Sequence, residues 1–402
     1  MTSNRTVLIL ILGLLSAIGP FSIDTYLAGF PAIANDLHTT VYEVSYTLSS
    51  FFIGISIGQM IYGPLLDRFG RKKPLMIGLV IYVIASLACT FATTIEMLIG
   101  LRFLQALGGC VGMVASRAIV RDIFPVHEIA KIFSLLVLIL GVSPIIAPSI
   151  GSILIAKYGW HSVFELQSFM VFLLLIAVYF YLPESKQPDT SMSLKPKPII
   201  NGFLFVVKNP TFFTYAFTGS IVSAGIYAYV SGAPSVFMKI FNVSEQEFGY
   251  IFSFLASGLI FSSQLNRWVL RKYNSMQIIN TTLWVQIGIG LLLCVGSLFG
   301  WLTLYSIIAL SFLFLSCQGF IQPNATALSL APFSKEAGSA SALIGALQMG
   351  FGALGAALVG FLSDGTSLPM IGVMVGCSIF GMVILGIGHL FLIKRVALTV
   401  EE

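Results

Sequence analysis

Long apolar runs alternate with short polar breaks along this chain, each run about 20 residues long. Twelve can be marked off, at 6–28, 43–66, 74–94, 97–120, 131–155, 162–182, 209–234, 247–267, 276–298, 301–325, 338–362 and 369–393. None shows the strict apolar–polar alternation of a barrel strand. The pattern therefore predicts helices, which satisfy every backbone N–H and C=O without water. Twelve such helices predict an all-α membrane protein that crosses the bilayer twelve times. The first run follows Arg5 and outlasts the ~7–15-residue core of a signal peptide, and no small-residue cleavage site follows it. It reads as a retained first span.

One break is longer than the rest. Residues 183–208 carry Pro183, Pro188, Pro196, Pro198 and several lysines, and read as a polar linker. The linker divides the chain into 1–182 and 209–402, six spans on each side, as two repeated bundles would. A weak internal echo agrees: Arg71 and Lys72 follow the second span, and Arg271 and Lys272 the eighth. Asp67 and Gly70 have no match there, their counterparts being Arg267 and Leu270.

Composition excludes a soluble class. The chain is 57% hydrophobic and 9% charged, against about 25% charged for a soluble domain. So few charges cannot cover a water-facing surface. The net charge of +5 reads as topology, because most lysines and arginines fall on one side of the spans, while only Lys157 and Lys239 occupy loops on the other. That asymmetry predicts cytoplasmic termini, as an even span count also requires. Lipid is the expected surroundings and nucleic acid is not an expected partner. The five cysteines and four histidines are scattered without disulfide or metal-ligand spacing. No nucleotide loop or nucleophile elbow is present. Neither a metal nor a cofactor is expected, and an enzyme is not.

The candidate chemistry lies in the first half. Between the second and third spans, the run from Gly63 to Lys73 packs Asp67, Arg68, Gly70, Arg71 and Lys72 into a short turn. Gly63 is expected to admit a close helix neighbour and Gly70 a turn conformation that a side chain would oppose. Asp67 and Arg71 can pair with each other or with Asp122, beside Arg121 at the end of the fourth span. Cations alone would suffice to set topology. Arg102 begins the fourth span, with Gln105 on the same face. Burying it costs at least ~2.5–3.5 kcal/mol, so it faces a partner or a cavity, or it snorkels to the headgroups. Asp24 is the acid deepest in the first span, among apolar neighbours such as Phe21 and Leu27. The cost of burying its charge and attraction from Arg102 would compete, which suits an exchangeable proton; an ordinary interface residue is the alternative. Glu43 and Glu165 sit nearer span ends. The fifth span carries Gly141, Pro144, Pro148 and Gly151, which ask for a bend or a close contact.

In the second half, Gln318, Gln322, Pro323 and Asn324 fall in the tenth span. Its amides either line a cavity or bond between helices. Small residues (Gly338, Ala342, Gly345, Gly352, Ala356, Gly360) crowd the eleventh and read as close helix packing. Tyr26, Gln105, Tyr227, Gln318 and Gln348, with Phe21 and Met349, are candidate cavity residues.

The 63–73 run resembles the signature loop between helices two and three of the major facilitator superfamily. Arg102 to Gly109 resembles that superfamily's Arg-x-x-Gln-Gly fourth-helix signature, with Ala106 for the glycine. The 141–151 run resembles the fifth-helix motif of drug–proton antiporters, with fewer glycines. Together with Ile23–Leu27, Ser116–Asp122 and Ala325–Leu328, these runs make nearly the whole chain similar to the bicyclomycin-resistance subfamily. The resemblance implies a monomeric bacterial inner-membrane protein of two six-helix bundles that works by alternating access. It implies export of small amphipathic drugs, with the proton as coupling ion and Asp24 and Arg102 as coupling residues. It also implies a cytoplasmic gating network of Gly63, Asp67, Gly70, Arg71, Arg121 and Asp122. A proton-independent facilitator or importer of a small metabolite stays open.

Overall fold

The computed structural model describes residues 5–189, 196–333 and 337–400. Lys195 of the linker and Lys335, which belong to the cations expected on the cytoplasmic side, lie outside the described residues. Twelve helices among the described residues are long and apolar enough to cross a membrane. The first span is α1 (Arg5–Asp24), continued through a 3-10 turn (Leu27–Gly29) into α2 (Phe30–Asp36). It runs beyond residue 28 because Pro31 starts a new helix at α2, where its missing N–H is not needed. The next five are α3 (Val41–Phe69), α4 (Lys72–Cys89), α5 (Ile95–Ile123), α6 (Val126–Tyr158) and α7 (His161–Tyr181).

The linker is not wholly polar coil. Its C-terminal part forms α8 (Pro196–Val207). The apolar residues Phe203, Val206 and Val207 after the prolines explain it: Val206 is buried with Phe212, Phe333 and Ala340, and Phe203 and Val207 pack against that cluster. Then follow α9 (Pro210–Pro234), prolonged by one π-type stretch to Ile240, α10 (Glu245–Val269), α11 (Ser275–Leu298), α12 (Leu304–Leu330), α13 (Ala337–Phe361) and α14 (Leu368–Val400).

Polar caps mark the helix starts. Thr40 caps α3 in a reciprocal box with Glu43, Thr94 caps α5, and Asn274 with Gln277 caps α11. Glu43 is thereby committed to the cap.

The chain divides into two units, Met1–Ile199 with Ser244–Ser253, and Ile200–Val243 with Phe254–Glu402. In the first, α5 packs along α3 and α4, α4 on α7, and α1 against α5 and α6. Small residues permit this: a Cβ on Gly54 of α3 would lie 2.7 Å from Phe103 O on α5. Gly63 meets nothing within 4 Å. The close approach expected of Gly63 is therefore made nine residues earlier on α3, about two and a half turns. Ser253, two turns into α10, donates to Ile145 O (2.7 Å) within the same unit. In the second unit α9 is central, against α12, α13 and α14. Its Tyr215 and Val222 join Ile279, Leu283, Ile321 and Leu385 in one apolar cluster.

Candidate functional site

The site is assembled around a change of helical winding at Asp24. Beyond α1 the Tyr26 N–H bonds to Ile23 O (3.4 Å), three residues back, instead of to Ser22 O four residues back. That tightening frees the Ser22 carbonyl inside the first unit. Arg102 Nη2 and Gln167 Nε2 both donate to it, at 3.3 and 3.4 Å.

Arg102 is 0% exposed, so it does not snorkel. Its Nη1 donates to Gln105 Oε1 (2.6 Å). Its guanidinium lies over Phe51 (4.1 Å), Tyr26 (4.6 Å) and Phe164 (5.7 Å to the ring centroids). A desolvated cation–aromatic contact is worth about 2 kcal/mol, and a charge-assisted hydrogen bond about 1.5–3. These offset a burial penalty of several kcal/mol per ion. The offset is incomplete: Arg102 Nε has no partner, and no carboxylate pairs with Arg102 among the described residues.

Gln105 passes the network on, donating to Ser86 Oγ (2.7 Å) and Gln167 Oε1 (2.9 Å). Gln167 donates in turn to Thr25 Oγ1 (2.8 Å). Hydroxyl pairs Ser22–Tyr82 and Tyr26–Thr47 complete it. Five helices thus contribute to one buried polar cluster. Tyr26 and Gln105, expected to line a cavity, are enclosed in it instead, at 1% and 0% exposure. Sequence reasoning missed Ser22, Thr47, Tyr82, Ser86 and Gln167. Gln167, an amide in mid-run of the sixth apolar stretch, was the visible signal.

Asp24 ends α1 and is 6% exposed. Among the described residues no hydrogen bond or ion pair reaches its carboxyl group. Its chain neighbours do engage Arg102, Ser22 through the carbonyl and Tyr26 through the ring. Against this segment packs α6, one continuous helix that contains Gly141, Pro144, Pro148 and Gly151. A Cβ on Gly151 would lie 1.9 Å from Thr25 O, so only glycine allows α6 to touch the backbone next to Asp24. Glu165, near the start of α7, takes no part in the cluster.

A second network closes the α3–α4 turn. Arg71 Nε and Nη2 grip Asp122 (2.7 and 3.3 Å), while Nη1 holds Asp67 (2.9 Å). Burial works against the Arg71 charge, but the bonds to and attraction of Asp122, with Asp67, outweigh it and hold the guanidinium above its ordinary pKa. Residues just beyond α7 lock the turn: Glu184 accepts from the backbone N–H of Arg71 (2.7 Å) and Lys72 (3.1 Å), and Lys186 reaches Asp67 (2.7 Å). Gly70 has φ +83°. Arg121 is exposed and outside these ion pairs. Glu184 and Lys186 were not anticipated, since the turn and the α7 exit are over a hundred residues apart.

In the second unit the amides join helices. Gln318 donates to Val222 O (2.7 Å), Gln322 to Gly219 O (2.7 Å), Asn324 to Asn266 Oδ1 (2.8 Å) and Gln348 to Gln322 Oε1 (3.0 Å). Gln318 is fully buried. Tyr227 is half-buried, its ring laid against Gly352 of α13.

Twelve helices long and apolar enough to cross a membrane define a multi-pass membrane protein. The model of the Major Facilitator Superfamily matches residues 11–357, and the chain belongs to that superfamily. It is 30% identical to a bicyclomycin resistance protein homolog of Haemophilus influenzae, over 97% of this chain and 96% of that one, which places it in the bicyclomycin-resistance branch. The multidrug resistance protein MdtL of Escherichia coli is 29% identical over 91% of each chain. Among solved structures, the nucleoside transporter NupG shares the fold with a TM-score of 0.75 and 14% identity, covering 96% of this chain and 99% of that one.

Proposed function

We propose that this chain exports small amphipathic molecules, drugs among them, across a bacterial inner membrane in exchange for protons. The export half is supported by relatives named for bicyclomycin and multidrug resistance. Cytoplasmic termini follow from the loop cations.

The proton half is carried by one observation. Arg102 is fully buried without a counter-ion, and it touches the residues two before and two after Asp24, whose own carboxyl group is unpartnered. An ionised Asp24 turned towards Arg102 would supply the missing charge, and a protonated one would release it. One proton then separates two arrangements of the same segment. Gly151 of α6 meets that segment at the Thr25 carbonyl. In the cycle, substrate enters from the cytoplasm with Asp24 ionised on Arg102. Outward opening releases the substrate, and a periplasmic proton neutralises Asp24 for the return. Arg71, bracketed by Asp67 and Asp122 and locked by Glu184, is the cytoplasmic latch. Arg121 stands beside this latch, exposed and outside its ion pairs, and a Cβ on Gly63 would meet nothing within 4 Å.

The test is bicyclomycin transport in proteoliposomes under an imposed pH gradient, comparing the native chain with Asp24→Asn. Gradient-driven transport that Asp24→Asn abolishes is the expected result. Full gradient-driven transport in Asp24→Asn refutes the proton site. Gradient-independent transport in both favours the facilitator.

A further inference from the structure

The turn between α10 and α11 repeats the basic pair of the first unit without its acids. In the first unit Arg71 is held by Asp67 and Asp122. In the second, Arg271 and Lys272 follow α10, and Arg267 takes the position of Asp67. These three cations are exposed, and among the described residues none of them has a hydrogen bond or an ion pair. The turn leads into a groove of ≈ 560 Å³ along α11 and α12, open at exposed Val285 and Leu313. We infer that this place binds one anionic phospholipid, with its phosphate at the three cations and an acyl chain in the groove.

The groove is graded in polarity as such a molecule requires. Val269 and Tyr273 line the end nearest the turn. Lys272 Nζ lies 5.6 Å from the centre of the Tyr273 ring, and the Arg271 guanidinium 5.9 Å from that of Trp268. Both rings are exposed, as aromatics at a membrane–water boundary are. The N-terminus of the 24-residue α11 adds its positive partial charge beside the cations. Gln277, Thr281 and Thr282, in the first two turns of α11, line the next level. The side-chain oxygen of Gln277 accepts from the Asn274 N–H (3.1 Å) in the helix cap, which leaves its amide nitrogen to donate. Among the described residues the Thr281 and Thr282 hydroxyls have no hydrogen bond. These donors suit the ester oxygens that follow a phosphate. Deeper, Val285, Ile289, Leu313 and Cys317 make the lining apolar, which suits hydrocarbon.

Charge and shape together select the ligand. Among the described residues no carboxylate lines the groove, so the neutralising anion comes from outside the chain. A zwitterionic headgroup would bring its own cation to three others. A free phosphate would leave the groove empty, and a hydrocarbon would leave the cations unmet. Each lysine or arginine close to the bilayer surface strengthens binding of anionic lipid about fivefold.

The experiment uses the full chain in dodecyl maltoside micelles. Two probes carry the same diazirine-bearing acyl chain, one under a phosphatidylglycerol headgroup and one under phosphatidylcholine, with adducts mapped by mass spectrometry. Expected is saturable labelling within 281–289 and 313–320 by the phosphatidylglycerol probe, competed by unlabelled phosphatidylglycerol. Arg271→Gln with Lys272→Gln should weaken it about thirtyfold. Thr281→Trp, which blocks the groove from an exposed position and leaves every charge in place, should abolish it. Arg68→Gln with Lys73→Gln, which removes the same charge from the first unit, should leave it unchanged. Equal labelling by the phosphatidylcholine probe overturns the proposal, because the groove would then hold ordinary bilayer lipid. Equal loss in the two double variants also overturns it, since the attraction would then come from the net charge of the chain. So does full labelling in Thr281→Trp, or in Arg271→Gln with Lys272→Gln.

Discussion

Gly70 and Gly63 stand seven residues apart in one signature run, yet they do different things. Gly70 has φ +83° and ψ 169°, a region in which only glycine is comfortable. A Cβ there would also sit 2.8 Å from the Glu184 carboxylate that caps the turn. Gly70→Ala should therefore destabilise the protein by roughly 1–3 kcal/mol, lowering the apparent thermal midpoint in detergent. Gly63→Ala, facing open space, should leave that midpoint unchanged. Equal effects would contradict the geometry. Arg102 makes the complementary point. Its place in an apolar run announced a cost, and the run itself could not say whether rings, lipid or a carboxylate would meet it.

Helix contacts decide what the elements do. Pro144, Pro148 and the glycines around them asked for a bend or a close contact in α6, and a close contact is made at Gly151, against the Thr25 backbone just beyond α1. Gly151→Ala puts a methyl against a carbonyl that cannot yield without moving α1. The expected cost is about 1–3 kcal/mol, read as a lower thermal midpoint together with slower gradient-driven transport. An unchanged midpoint would mean that the contact is not made. The helix α8 was missed because prolines and lysines dominate the start of its segment. The apolar face that buries Val206 follows them, and a short amphipathic stretch becomes a stable helix through packing more than propensity.

The proposed orientation is a property of the whole molecule. With the native cysteines Cys89, Cys110, Cys294, Cys317 and Cys377 replaced, a cysteine at exposed Gln187 should react with a membrane-impermeant maleimide only after the cells are opened. A cysteine at exposed Phe299 should react in intact cells. The reverse pattern would invert the topology and place the Arg71 network on the outer face. If the orientation holds, Glu184 and Lys186 tie the exit of the sixth span to the turn after the second on the cytoplasmic side.

The number of spans and the helix class were determined by the sequence alone. These depend on the transfer of short stretches between water and lipid, a local sum over neighbouring residues. The candidate residues Asp24, Arg102, Asp67, Arg71 and Asp122 were legible for the same reason, since a charge in or beside an apolar run is conspicuous. Only the tertiary structure decided what surrounds them. Phe51, Tyr82, Phe164 and Gln167 are unremarkable in their own runs and converge on Arg102 because four helices turn those faces inward. The structure moved the close approach from Gly63 to Gly54 and enclosed Tyr26 and Gln105. Such outcomes depend on which faces meet across long sequence separations, and burial removes the water that would otherwise satisfy each polar group on its own.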